Sequence, residues 1–538
     1  MKNRLSLLHF FFIVCLSSVL LSSCKQETKK ESASTVDTTI TAAINLEEIT
    51  ITDLQNGYKQ GNYTITNVVQ NYLNRIKELD KNGPALNSVI EVNPDALKIA
   101  AELDKELAAG KSRGPLHGIP VLLKDNIDTH DNMHTTAGAT VLRNSMPLQD
   151  SWVAKKLREA GAVIIGKTNL SEWAHFRANL ASSGWSGVGG QTKNPYVLDR
   201  NPCGSSSGSG VAVSANLCAF AIGTETDGSI VCPSNNNGIV GLKPTVGLIS
   251  RAGIIPISAT QDTPGPMGRS VKDVAIALGL LTGLDPADNK TASSTGNIKN
   301  DYTVFLKTDG LNGKRIGLLK NTTGFHPKVD ELLTETITYL KSQGAEVIEL
   351  QFPLDPSVSN ASLQVMLYEF KDGLNNYFKG LGGNVPVKTL KELIEFNKTD
   401  SVELKYFSQG LLEQAEAKGD LNSAEYKKAL HDMLKATREN GIDKLLKENK
   451  LDALMAPTGG PAWKTDFING DFYMGGSSAY AAIAGYPNIS VPMGFIDELP
   501  VGVSFFGKAW SEPMLLEIAF AYEQGTKHRK KPKYIKTN

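Results

Sequence analysis

The stretch from Asp150 to Ile165 limits the possible architecture most. Asp150 can cap a helix in which Val153, Leu157 and Ala160 share one face, and Gly161 closes it. Ala162-Val163-Ile164-Ile165 follows at once, a short apolar run of the kind that is buried on both faces of a sheet. Helix, tight turn and doubly buried strand in that order require helices laid on a sheet. A layered α/β fold is therefore predicted. Gly118 to Asp125 is a similar run that ends in charge, which suits a buried strand delivering Lys124 to a rim. Thr66 to Leu79 and Pro94 to Leu107 carry apolar positions at helical spacing and read as surface-amphipathic helices. From about 300 to 450 the chain is charged and mostly helical, with Arg315 to Leu319 as one strand inside it. Asp452 to Pro457 and Leu499 to Phe505 return to buried-strand patterning, so one core is expected from both chain ends around that helical insert. At 538 residues the chain has room for such an elaborated single domain.

Residues 1–23 read as a targeting segment rather than as part of the fold. Lys2 and Arg4 form a charged start, an apolar run extends from Leu5 to Leu21, and Leu21-Ser22-Ser23-Cys24 ends it on a cysteine. This resembles a bacterial lipobox, so cleavage before Cys24 and lipidation of Cys24 are expected, with the protein exported and held to the bacterial cell envelope. Residues 24–45 are rich in Lys, Glu, Ser and Thr without apolar period and read as a flexible tether. Lys and Arg total 56 against 56 for Asp and Glu, and no basic stripe interleaved with aromatics appears, so a nucleic-acid partner is not expected. Cys203, Cys218 and Cys232 remain in the body; none forms a C-x-x-C pair, and one disulfide is possible in an exported chain.

Two familiar spellings are poor guides here. Gly161 to Thr168 matches G-x-x-x-x-G-K-T, but a phosphate loop must offer free N–H groups, whereas Ala-Val-Ile-Ile commits its own to a sheet. Gly204-Ser205-Ser206-Ser207-Gly208 matches G-x-S-x-G and would nominate Ser206, yet the turn-rich Asn194 to Pro202 precedes it where a buried strand is required. His326, His431 and His528 follow, none in a recognisable local setting.

Asn201 to Ser250 makes better sense as one unit. A Gly/Ser cluster at Gly204 to Gly210 leads into a small-residue, helix-like run from Val211 to Ala221. A second cluster, Gly223-Thr224-Glu225-Thr226-Asp227-Gly228-Ser229, comes next. Small residues let backbone N–H groups approach a substrate, and a serine after such a loop is where an oxyanion pocket is expected. In isolation these clusters would be plain loops. Their order along the chain, however, resembles the amidase signature family. The matching parts are the Lys124 strand, Gly166 to Glu172, the Gly/Ser cluster, Gly228-Ser229-Ile230 and Gly241 to Thr245, together with Gly485 to Pro492 and Leu499 to Gly507. The likeness covers about residues 46–530. Gly204 to Ser209 paired with Thr224 to Ser229 is most similar to the peptide amidase branch. The commoner family spelling has Gly-Gly-Ser-Ser-Gly-Gly-Ser and Asp-x-Gly-Gly-Ser, and this chain departs from it on the flanks of Ser205 and at Asp227.

The resemblance implies the amidase signature fold, an α/β fold with a mixed central β-sheet covered by helices on both faces, and a Ser-Ser-Lys triad. Ser229 would be the nucleophile, Ser205 the bridging serine on a cis peptide bond, and Lys124 the base, with no metal or cofactor. Backbone N–H groups of Thr226, Asp227, Gly228 and Ser229 would hold the oxyanion. The implied reaction is hydrolysis of a carboxamide to acid and ammonia through an acyl-enzyme, on a small amide or an amidated peptide. The 300–450 insert would lie near the substrate entrance. Lysine is charged at neutral pH with an ordinary pKa of about 10.4, so the base role requires desolvation. The apolar run Ile119 to Leu123 supplies it. Three other readings are compatible with the motifs: an amidase of other acylamides, a transamidosome-type glutaminase subunit, and a non-catalytic lipid-anchored binding protein.

Overall fold

The computed structural model describes residues 44–537. The leader, Cys24 and nearly all of the 24–45 tether lie outside these residues. Along the described chain the strands are β1 (Val89–Val92), β2 (Pro120–Lys124), β3 (Val163–Thr168), β4 (Trp185–Ser186), β5 (Gly190–Gln191), β6 (Phe220–Glu225), β7 (Val240–Lys243), β8 (Thr263–Gly268), β9 (Arg315–Leu319), β10 (Glu346–Leu350), β11 (Ala453–Pro457), β12 (Asn488–Ile496) and β13 (Leu499–Phe506). Eleven of them make one mixed sheet in the order β1-β3-β2-β6-β8-β7-β12-β13-β11-β9-β10, while β4 and β5 pair separately. Both chain ends therefore build one core, as the patterning requires, and the family's α/β fold is present.

β2, β3 and β6 run parallel, with Lys124 opposite Thr168 and Val121 opposite Phe220. Every residue of the three strands is buried, which explains the apolar run with which each opens. Each large aliphatic side chain so buried contributes roughly 1.5–3 kcal/mol. Parallel strands bring their carboxyl ends to one edge of the sheet, and ligand crevices in open α/β sheets form outside that edge. Lys124 and Glu225 both stand there.

Several local expectations shift. The helix Trp152–Glu159 is capped by Ser151, whose Oγ accepts from Ala154 N–H at 3.1 Å, and not by Asp150. Asp150 instead accepts from His130 N–H at 2.7 Å and pairs with Arg158 at 3.0 Å, stronger partners for a carboxylate. Ile65–Arg75 is helical behind a Thr64 capping box and then continues as a π-helical turn, Ile76–Lys81. Ala96–Ala108 forms the next helix. The 300–450 region holds two strands, not one. β10 lies parallel to β9 at the sheet edge, and its sequence Glu-Val-Ile-Glu-Leu alternates too weakly to stand out from its helical surroundings. The longest helix, Pro356–Gly380, follows it.

The Gly/Ser cluster is the largest change. Residues read as a loop begin the helix Ser207–Ser214, all eight of them buried, and the run expected to be helical to Ala221 already enters β6 at Phe220. Glycine is needed there for close approach: a Cβ on Gly208 would lie 2.2 Å from Ser88 O and 2.5 Å from Asn169 O. No helix among the described residues is long and apolar enough to cross a membrane.

Candidate active site

Lys124 ends β2 wholly buried. Its Nζ lies 2.7 Å from Ser205 Oγ, 2.9 Å from Thr224 Oγ1 and 3.1 Å from Thr224 O. Asn126 Nδ2 donates to the same Thr224 hydroxyl at 3.0 Å, which fixes that partner. Burial pulls the lysine down to about 7, opposed only in part by the negative charges of Asp262 and Glu225. An amine near 7 can take and return a proton at neutral pH.

Ser205 follows a cis peptide bond with Gly204. The turn is gripped from one side by Ser171, whose N–H donates to Ser205 O at 3.1 Å. Ser171 Oγ also lies 2.2 Å from where a Cβ on Gly204 would stand, so glycine alone fits. Ser206, the competing nucleophile, has its hydroxyl committed to β6: it donates to Thr224 O at 3.1 Å and accepts from Thr224 N–H at 3.2 Å.

Ser229 is buried to 7% exposure at the end of the loop that follows β6. Three ties fix that loop, two of them to the segment around Ser205. Ser206 N–H donates to Ser229 O at 3.1 Å. Glu225 Oε2 accepts from Ile230 N–H at 2.8 Å and Val231 N–H at 3.0 Å, closing the loop on itself. Cys203 and Cys232 are joined by a disulfide, which resolves two of the three unassigned cysteines and leaves Cys218 buried and free. No hydrogen bond among the described residues joins Ser205 Oγ to Ser229 Oγ; the two segments meet through the Ser206 N–H and Ser229 O.

Gly228 adopts φ +79°, a conformation that side chains resist. Among the described residues none of the N–H groups of Thr226, Asp227, Gly228 and Ser229 enters a turn, cap or side-chain hydrogen bond. Four successive free donors in so enclosed a loop are rare, and they suit a developing oxyanion. Thr226 Oγ1 donates to Asp262 at 2.6 Å, and Ser478 Oγ donates to Asp227 Oδ1 at 2.5 Å. A cavity of about 230 Å³ adjoins the site, sharing Asn126, Thr224 and Thr226 with it and walled further by Arg251, Ile255 and Asp262. Neither Ser205 nor Ser229 lines it.

The structure thus brings Lys124, Ser205, Thr226, Asp227, Gly228 and Ser229 together. Thr224, Asn126, Ser171, Glu225 and Ser478 complete the surroundings without having been singled out. Thr224 and Glu225 stood within a recognised cluster, but only the strand register turns their side chains to the lysine and the loop. Ser478, about 250 residues away in sequence, carried no signal. No group of three or more His, Cys, Asp or Glu among the described residues is disposed to hold a metal ion.

Comparison with known proteins places the chain in a family. The amidase family model matches residues 67–516. A probable amidase of Arabidopsis thaliana is 41% identical over 539 aligned residues, covering 98% of this chain and 99% of the relative. A glutamyl-tRNA(Gln) amidotransferase subunit from Thermoanaerobacter pseudethanolicus is 34% identical, covering 91% and 99%. Among solved structures, the peptide amidase PAM in complex with the competitive inhibitor chymostatin superimposes with a TM-score of 0.89 at 50% identity, covering 91% of this chain and 100% of that one.

Proposed function

This chain belongs to the amidase family and is an amide-hydrolysing enzyme, and from that premise we propose that it is a peptide amidase working through a Ser229-Ser205-Lys124 triad. The observation that carries the substrate class is the 50% identity to a peptide amidase over that enzyme's whole length. The 34% identity to an amidotransferase subunit supports a glutaminase role less well.

In this reading Ser229 Oγ attacks the carboxamide carbon while its proton passes through Ser205 to neutral Lys124. The oxyanion accepts from the free N–H groups of Thr226 to Ser229. Collapse of the tetrahedral intermediate breaks the C–N bond, the relay returns the proton to the nitrogen, and ammonia leaves an acyl-Ser229 ester. Water then attacks the ester along the same path and frees the acid. The 2.7 Å separation of Lys124 Nζ and Ser205 Oγ supports the first transfer.

Ammonia release from amidated dipeptides, simple acylamides and glutamine tests the substrate class; glutamine as the preferred substrate would favour the amidotransferase-type reading. Ser229→Ala and Lys124→Ala are each expected to lose at least roughly a thousandfold in kcat/KM while unfolding at the wild-type temperature. Near-wild-type turnover in either removes that residue from the mechanism. We further propose that the mature chain is exported and lipid-anchored at Cys24. Cys24→Ser should then move the protein from the membrane pellet to the soluble fraction, and a variant that stays in the pellet refutes the anchor.

A further inference from the structure

Asp227 is the one charged side chain in the free N–H loop, at the position where the commoner family spelling has glycine. Its Oδ1 is taken by Ser478 Oγ, and Oδ2 accepts no hydrogen bond among the described residues. The side chain is open to solvent. Protein nevertheless surrounds it closely enough that burial raises its carboxyl to about 6, with the negative Glu225 adding and the Ser478 hydrogen bond and Lys243 opposing. Tyr473 shares that setting: it is 47% exposed, yet burial and then the charges of Asp227 and Glu225 push its phenol up. Trp463 meets the Tyr473 ring edge-on at 6.0 Å. Two residues before Ser229, one carboxyl oxygen of Asp227 is thus held by Ser478 while the other has no protein partner among the described residues.

We propose that the Asp227 carboxyl selects peptide-like amides by accepting, through Oδ2, the backbone N–H of the residue whose carboxamide is cleaved. This inference rests on the peptide amidase reading and adds the residue that enforces it. In an amidated peptide that N–H is attached to the carbon next to the scissile carbonyl, so the donor is held at a fixed short distance from the bond that breaks. Plain acylamides have a methylene there and leave the oxygen unpaired. A charged acceptor placed to receive a substrate N–H favours substrates that carry it, because the analogue lacking it forgoes one charge-assisted hydrogen bond.

The test compares an amidated dipeptide with its isostere carrying an ester oxygen in place of that N–H, both followed by ammonia release. Wild-type enzyme is expected to prefer the N–H substrate by about ten- to hundredfold in kcat/KM, from one hydrogen bond to a charged acceptor. Asp227→Ala should bring the ratio to within about threefold. Asp227→Gly, which restores the commoner family residue, should do the same and serves if the alanine variant is recovered unfolded. Asp227→Asn keeps an acceptor oxygen and should hold an intermediate ratio, and Ser478→Ala, which frees the carboxyl to turn, should lower the ratio in part. Equal losses on both substrates would mean that Asp227 only shapes the loop, and an unchanged ratio would mean that it does not meet the substrate; either overturns the proposal. If the wild type cleaves amidated dipeptides without preferring the N–H, the inference falls and the peptide amidase reading stands. If it releases no ammonia from them, both fall.

Discussion

Lys124 has been given one hydroxyl partner on each of two segments and no carboxylate within salt-bridge distance, so burial dominates its titration. Only the neutral amine can accept the Ser205 proton, and the neutral fraction grows as pH rises through about 7. Activity should therefore climb with an apparent pKa near 7 in a plot of log kcat/KM against pH and level off above it. A flat profile from pH 5 to 9 would show that the proposed base does not titrate there. Folding shares the linkage: the unfolded lysine keeps its proton up to the ordinary range, so this group's contribution to stability improves as pH rises from about 7. The lysine was legible because a desolvating strand precedes it directly. Thr224 and Asn126 were not, since nothing in their spacing says that β6 will bring Thr224 to the amine or that Asn126 will bond its hydroxyl.

The helix Ser207–Ser214 shows why composition misleads for such an element. Gly and Ser are weak helix formers in isolation, by up to about 1 kcal/mol per residue. Here they permit contacts that larger residues forbid. Ser209 Oγ donates to Ile222 O at 3.2 Å and shares a hydrogen bond with Thr168 Oγ1, while Gly208 N–H donates to Asn169 O at 2.9 Å. Gly208→Ala must displace backbone on two neighbouring segments at once, and an overpacking cost of about 3 kcal/mol is expected. A thermal melt would register it as a drop of several degrees; an unchanged melt would show that the β1 approach and the segment after β3 can yield. The strands were plain in the sequence for the opposite reason. Burial on both faces leaves unbroken apolar runs such as Pro120–Lys124, whereas close approach of small residues leaves a pattern indistinguishable from a loop.

On the scale of the whole molecule, one buried network ties the 300–450 region to the sheet side. Arg177 pairs with Glu172 and with Glu403 at 3.1 Å, and donates to Glu403 O at 2.6 Å. Glu403 Oε1 accepts from both the N–H and the hydroxyl of Thr140 at 2.7 Å. All three charged groups are almost wholly excluded from water, so Arg177→Ala leaves two buried carboxylates facing each other, at a cost of about 3–5 kcal/mol. Amide exchange around residues 400–410 should accelerate first; uniform protection would show that the network does not hold this segment. Such links were invisible beforehand, because charge patterning does not say which of many Glu and Arg residues meet across more than two hundred positions. The same long separations govern when such ties can form. β7, which follows the Ser229 loop, pairs with β12, and Ser478 reaches Asp227 from the same late part of the chain. A ribosome delivers Lys124, Ser205 and Ser229 well before those residues. The tie between Asp227 and Ser478 and the pairing of β7 with β12 therefore form only after most of the chain has been made.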